Sequence, residues 1–136
     1  MKVFLDTNVL VSGFATRGLC ADVIRLVLAE HELVIGEVVL DELERALTRK
    51  VKLPPPVISE ILAFLESQTL QPRPKTAPEV RIRGEADLWV LASALAAKAD
   101  VLVTGDQDLL EARGEVSGLV ITDPRGFWNL ATKRTK

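Results

Sequence analysis

Four acidic positions stand where a fold could bring them together: Asp6 in "VFLDTN" (3–8), Glu42 or Glu44 in "VVLDELERAL" (38–47), Asp87 in "GEADLWV" (84–90) and Asp106 in "VTGDQD" (103–108). Asp6 is the most pointed of them, because an apolar run that reads as a buried strand ends directly in a carboxylate. Carboxylates held within a few ångströms of each other repel and raise one another's pKa unless a cation sits between them. A set of oxygen ligands selects a hard ion, Mg²⁺ or Mn²⁺. Zinc has little to bind, since the chain has one cysteine, Cys20, and one histidine, His31. A metal in an open carboxylate site most often serves phosphate chemistry, where it orients water, lowers its pKa and neutralises charge on a phosphodiester.

Positioning such a cluster requires elements that end at one edge of the domain. "KVFL" (2–5), "LVI" (33–35), "DVLVT" (100–104) and "GLVIT" (118–122) read as strands, and their unbroken apolar character suits parallel strands covered on both faces. Helical patterns fall at 20–30, 37–50, 55–68, 85–98 and 124–131, with a short turn at 108–113. Pro54, Pro55 and Pro56 end one helix and open the next. The segment 71–84, "QPRPKTAPEVRIRG", reads as a loop, and 11–19 as a connection. The expected fold is α/β: one domain over 1–136, a three-layer α/β/α sandwich around a central parallel sheet of four or five strands. Ligands in such sheets collect outside the carboxyl ends of the strands, where strand order reverses. If the first and third strands are neighbours there, Asp6 and Asp106 face one crevice.

The helices carry the remaining acids. In 85–98, Leu88, Leu91, Ala94 and Leu95 define a buried face, and Asp87 falls about 40° from its centre at about 100° per residue. A simple explanation for that inward carboxylate is the helix N-terminus, where free N–H groups and the dipole favour negative charge. Trp89 falls on the opposite side, a place for the 71–84 loop or a partner chain to cover. In 37–50 the apolar face is Val39, Leu40, Leu43, Ala46 and Leu47, with Asp41 nearly opposite. Glu42 and Glu44 each lie about 100° from the face centre, so rotation alone leaves both open.

With 48% hydrophobic residues, 136 positions suffice for a core without disulfides or a structural metal. Cys20 is expected as a small buried hydrophobe and His31 as a surface residue. No apolar run approaches the roughly 18 residues of a membrane span, and residues 1–5 do not form a secretory signal, so the expected location is cytoplasmic. The formal net charge of -2 is not the footprint of bulk attraction to nucleic acid. Basic residues nevertheless cluster at Arg45, Arg49, Lys50 and Lys52, at Arg73 and Lys75, at Arg81 and Arg83, and at Lys133, Arg134 and Lys136. A positive rim around a negative pocket is compatible with that sum.

The blocks "FLDTN" (4–8), "VVLDELERAL" (38–47) and "GEADLWVLASALAAKADVLVTGDQDLL" (84–110) resemble the successive motifs of PIN-domain ribonucleases, in particular VapC-like toxins of toxin–antitoxin pairs. The likeness runs from residue 3 to about 123, and its third block is the most specific. It implies an acidic quartet of Asp6, Glu42, Asp87 and Asp106, choosing Glu42 over Glu44. Asn8 and Thr104 would brace the site, Asp108 would be an outer or occasional ligand, and Glu85 stands where relatives often have another acid. The implied activity is Mg²⁺- or Mn²⁺-dependent endoribonuclease cleavage of RNA, leaving a 5′-phosphate and a 3′-hydroxyl. The implied partners are an antitoxin and a second copy of the chain. Haloacid dehalogenase-type phosphoryl transfer would need an aspartate where Asn8 stands. A receiver domain would need an acidic pair after the first strand and a lysine after the last, and neither is present. A PIN-fold binding module without catalysis is the alternative from a different class.

Overall fold

Val3, Phe4 and Leu5 are fully buried in the first strand, β1 (Lys2–Leu5), which is the middle strand of the sheet. The computed structural model describes residues 1–133. Around β1 lie β2 (Glu32–Gly36), β3 (Thr69–Gln71), β4 (Val101–Val103) and β5 (Val120–Thr122), in the order β3-β2-β1-β4-β5. Every pairing is parallel. The chain builds outward from β1 to β3 on one side, then returns to place β4 and β5 on the other, so the order reverses between β1 and β4. Leu5 pairs with Val103, and the Asp6 N–H donates to the Val103 carbonyl at 3.0 Å. Asp6 and Thr104 therefore leave the sheet side by side. The expected α/β/α sandwich with a parallel sheet is what the chain forms, with five strands.

Among the described residues seven α-helices cover the sheet: α1 (Thr7–Ala15), α2 (Leu19–Glu30), α3 (Glu37–Ala46), α4 (Pro55–Glu66), α5 (Glu85–Ala96), α6 (Gln107–Glu111) and α7 (Pro124–Thr132). None is long and apolar enough to cross a membrane. Pro55 and Pro56 open α4, where the missing N–H costs nothing. In α5 the buried positions run Val90, Leu91, Ala92, Ser93 and Ala94, a wider arc than the wheel suggests, because the helix packs against α3, α6 and β2.

The structure departs from the sequence reading in four places. Residues 7–15 form α1 rather than belonging largely to a connection; Val9 and Leu10 are buried, and a Cβ on Gly13 would force the tip of the Ile24 side chain to move. β3 adds an edge strand at 69–71, and residues 72–84 carry neither helix nor strand. The helix expected over 37–50 is α-helical only to Ala46 and continues as a π-helical turn, Leu47–Val51. His31 is half-buried rather than a surface residue, edge-on to Phe127 of α7 with centroids 5.9 Å apart. Cys20 is half-buried against the core.

Candidate functional site

Asp6 is 5% exposed, and both of its oxygens are held. Oδ1 caps α1 by accepting the Thr7 N–H at 2.7 Å, and Oδ2 accepts the Thr104 hydroxyl at 2.7 Å. That hydroxyl in turn accepts the Asp106 N–H at 3.0 Å, so one buried threonine links the two aspartates. Asp106 caps α6 through Oδ1, which accepts the Leu109 N–H at 3.2 Å. Asn8 closes the junction by accepting the Gly105 N–H at 3.1 Å. "DTN" and "TGD" thus form one hydrogen-bonded unit across the reversal between β1 and β4.

Asp87 reaches into this unit from the first turn of α5. A Cβ on Gly84 would stand 2.9 Å from its Oδ2, so the glycine N-cap is what lets the carboxylate lie back over the helix start. Helix-end stabilisation alone would lower its pKa. Instead burial pushes Asp87 up to about 7, reinforced by Asp106 and Asp6, by a hydrogen bond with Asp106 and by Asp108. Burial, with like charge beside it, outweighs the helix terminus. Oxygens of Asp87, Asp106 and Asp108 lie within 4.8 Å of one another, which sets Asp108 inside the cluster. Burial likewise raises Asp6; the hydrogen bonds from Thr104 and Thr7 oppose this and Asp106 adds to it.

Glu42 faces the cluster from α3. It is half-buried, and its pKa is raised by burial and by the charge of Asp6, with Arg45 and the nearby Thr7 hydroxyl working weakly the other way. Glu44 is exposed and lines a separate groove with Glu37, Leu40 and Leu62. The choice that rotation left open therefore falls to Glu42 as the residue in the cleft. Glu85 is exposed at the start of α5 and does not line that cleft.

The resulting cleft holds about 350 Å³ and is walled by Asp6, Thr7, Asn8, Glu42, Asp87 and Asp106, together with Lys50. Its acidic donors are oxygen only and mutually repulsive. Those features fit a hard divalent cation; Asp87, Asp106 and Asp108 have oxygens close enough to hold it together, and Asp6 and Glu42 line the same cleft as Asp87 and Asp106. Thr7, Val11, Ser12, Ala46 and Lys50 line the cleft without having been singled out as site residues. Thr7 was signalled by its place directly after Asp6, whereas Lys50 read only as part of a basic cluster.

The basic residues flank this cleft. Arg45, Arg49 and Lys50 line an adjoining hollow with Thr7 and Glu42. Arg81 and Arg83 line another with Asp108, Glu111 and Glu115. Arg73 is paired with Asp41 and shares a third with Trp89, Arg45 and Glu42, so the proline-rich segment does reach the half-buried tryptophan. Lys75 and Lys133 are exposed, and Arg134 and Lys136 lie outside the described residues.

Fold and site together define an α/β/α protein that gathers its carboxylates at a topological switch point. The chain belongs to the PIN domain family, whose sequence profile matches residues 2–108. No match was found among curated protein sequences. Among solved structures, VapBC2 from Rickettsia felis, bound to a DNA fragment from their promoter, is similar with a TM-score of 0.67 and 20% identity, covering 90% of this chain and 98% of that one. VapBC-1 from nontypeable Haemophilus influenzae has a TM-score of 0.60 and 21% identity, covering 92% and 99% respectively. At such identities the likeness is one of fold. The PIN-domain expectation is borne out.

Proposed function

We propose that this protein is a Mg²⁺- or Mn²⁺-dependent endoribonuclease and the toxin of a toxin–antitoxin pair, acting in the cytoplasm as a homodimer. The observation that carries the reading is the convergence of Asp6, Glu42, Asp87 and Asp106 on one open cleft, from four separate segments. The VapBC neighbours support an antitoxin partner. A bound cation would supply charge neutralisation and a more acidic water.

The chain's own groups do the rest. Thr104 bonds the Asp6 carboxylate and the Asp106 N–H, and Asn8 fixes the Gly105 backbone between them, so Asp6 and Asp106 would meet a cation in fixed positions. Asp87 would orient the attacking water, and Glu42, which lines the same cleft, would take its proton. Water oxygen bonds to phosphorus as the bond to the 3′-oxygen breaks, and solvent returns a proton to that oxygen. The test is cleavage of a panel of structured and single-stranded RNAs with Mg²⁺ or Mn²⁺, comparing wild type with Asp6→Asn and Asp87→Asn. Cleavage by wild type alone, stopped by EDTA, is the expected result. Equal cleavage by all three, or none by any, would overturn it.

A further inference from the structure

We propose that Lys50 is a substrate-contacting residue of this cleft, holding the scissile phosphodiester against the carboxylates, and that the π-helical turn at 47–51 exists to deliver it. The inference rests on the nuclease reading above.

Lys50 is the one cation, among the described residues, that lines the same cleft as Asp6, Glu42, Asp87 and Asp106. It also lines the adjoining hollow with Arg45 and Arg49, so it marks the junction between the acidic cleft and the basic strip. Among the described residues it forms no ion pair. Its ammonium is free to meet a ligand.

Helix geometry explains how it gets there. Glu42, Ala46 and Lys50 are four residues apart, and in a regular α-helix each such step drifts by about 40°, which would carry Lys50 about 80° away from Glu42. A π turn closes i→i+5 bonds, so each residue turns through less, and part of the drift is removed. All three residues line the one cleft as a result. The turn is anchored by Leu47, whose side chain is fully buried and whose carbonyl accepts the N–H groups of Lys52 and Leu53. Lys52 ends it in the left-handed region at φ 58, a conformation that a lysine keeps only where its surroundings impose it. Ala46 is small enough to leave a lane between Glu42 and Lys50.

The chemistry requires such a group. A cleft lined by carboxylates repels a phosphodiester, and a lysine is a compact point charge on a flexible stem that pairs with phosphate oxygens. Charge placed beside a reacting phosphate stabilises the transition state more than the ground state.

The test compares wild type, Lys50→Gln, Lys50→Arg and, as a control, Lys98→Gln at an exposed position in the turn just past α5. Two readouts are used: single-turnover RNA cleavage at saturating RNA, and binding of a short phosphorothioate oligoribonucleotide in Mn²⁺. Lys50→Gln should lose about tenfold to a hundredfold in the saturated rate and bind the oligonucleotide more weakly. Its melting temperature and its Mn²⁺-induced stabilisation should be unchanged. Lys50→Arg should restore most of the loss, and Lys98→Gln should match wild type. If Lys50→Gln cleaves and binds like wild type, the proposal falls and the nuclease reading stands. If wild type cleaves no RNA yet Lys50→Gln still weakens binding, the nuclease reading falls and Lys50 keeps its place as the phosphate contact.

Discussion

Asp87 keeps its proton in the folded protein to about 7, against an ordinary 3.8, so its effect on stability has a definite sign. Between those values the unfolded chain releases the proton while the folded chain still holds it, and folding weakens as pH rises. Asp6 and Glu42 are raised as well and act in the same direction. Metal-free protein should therefore lose melting temperature as pH climbs from about 4 to about 7, and Asp87→Asn should flatten that loss. Millimolar Mn²⁺ should restore stability at the upper end and do little at the lower, where protons compete for the ligands. A melting profile in which wild type and Asp87→Asn run parallel would count against a buried, charge-crowded Asp87 as the cause. Thr104 supports the site differently: its fully buried hydroxyl both donates to Asp6 and accepts from Asp106. Thr104→Val should cost about 1–3 kcal/mol in urea unfolding, because two buried polar groups lose their partner. Asp6, Asp87 and Asp106 were legible in the sequence because each sits at a strand end or a helix start. Glu42 and Glu44 are symmetric about their helix face, so periodicity could not separate them; the family resemblance chose Glu42, and the fold sets Glu42 in the cleft and Glu44 in a separate groove.

Elements that lack a clear period were the ones the sequence concealed. α1 mixes buried Val9 and Leu10 with the helix-weakening Gly13 and reads as a connection, although Gly13 is what allows α1 to approach α2. β3 is only "TLQ", with Thr69 and Leu70 exposed on the sheet edge, so it offers no apolar run. The π-helical turn leaves no mark in composition, yet Lys50 within it lines the cleft as well as the basic hollow. The junction of β2 and α3 makes a sharper test of how elements set the site. A Cβ at Gly36 would come within 2.6 Å of Phe4 Cζ, and Phe4 is fully buried. Gly36→Ala should destabilise by about 1–3 kcal/mol in urea unfolding through overpacking, and it should reduce cleavage because α3 carries Glu42. Stability equal to wild type would show that Phe4 has room to give.

Across the whole molecule, a formal net charge of -2 conceals a separation of charge, with carboxylates in the central cleft and arginines and lysines beside it. The order of apolar runs and helical patterns was enough to read the α/β/α class, whereas the reversal between β1 and β4 was only a condition there and is set by the observed strand order. The distribution of charge around the cleft needed the folded surface. If the Arg45 and Arg49 side contacts two phosphates, Arg45→Ala with Arg49→Ala should reduce the slope of log affinity against log salt by roughly 1.4 for single-stranded RNA. An unchanged slope would assign both arginines to solvent. The central claim is that carboxylates from four distant segments act as one cation site, and locating Mn²⁺ by anomalous scattering from crystals grown with the ion tests it most directly. The expected result is a peak bounded by Asp6, Asp87 and Asp106 that disappears in Asp6→Asn. Mn²⁺ bound elsewhere on the surface, with the cleft empty at saturating metal, would contradict it.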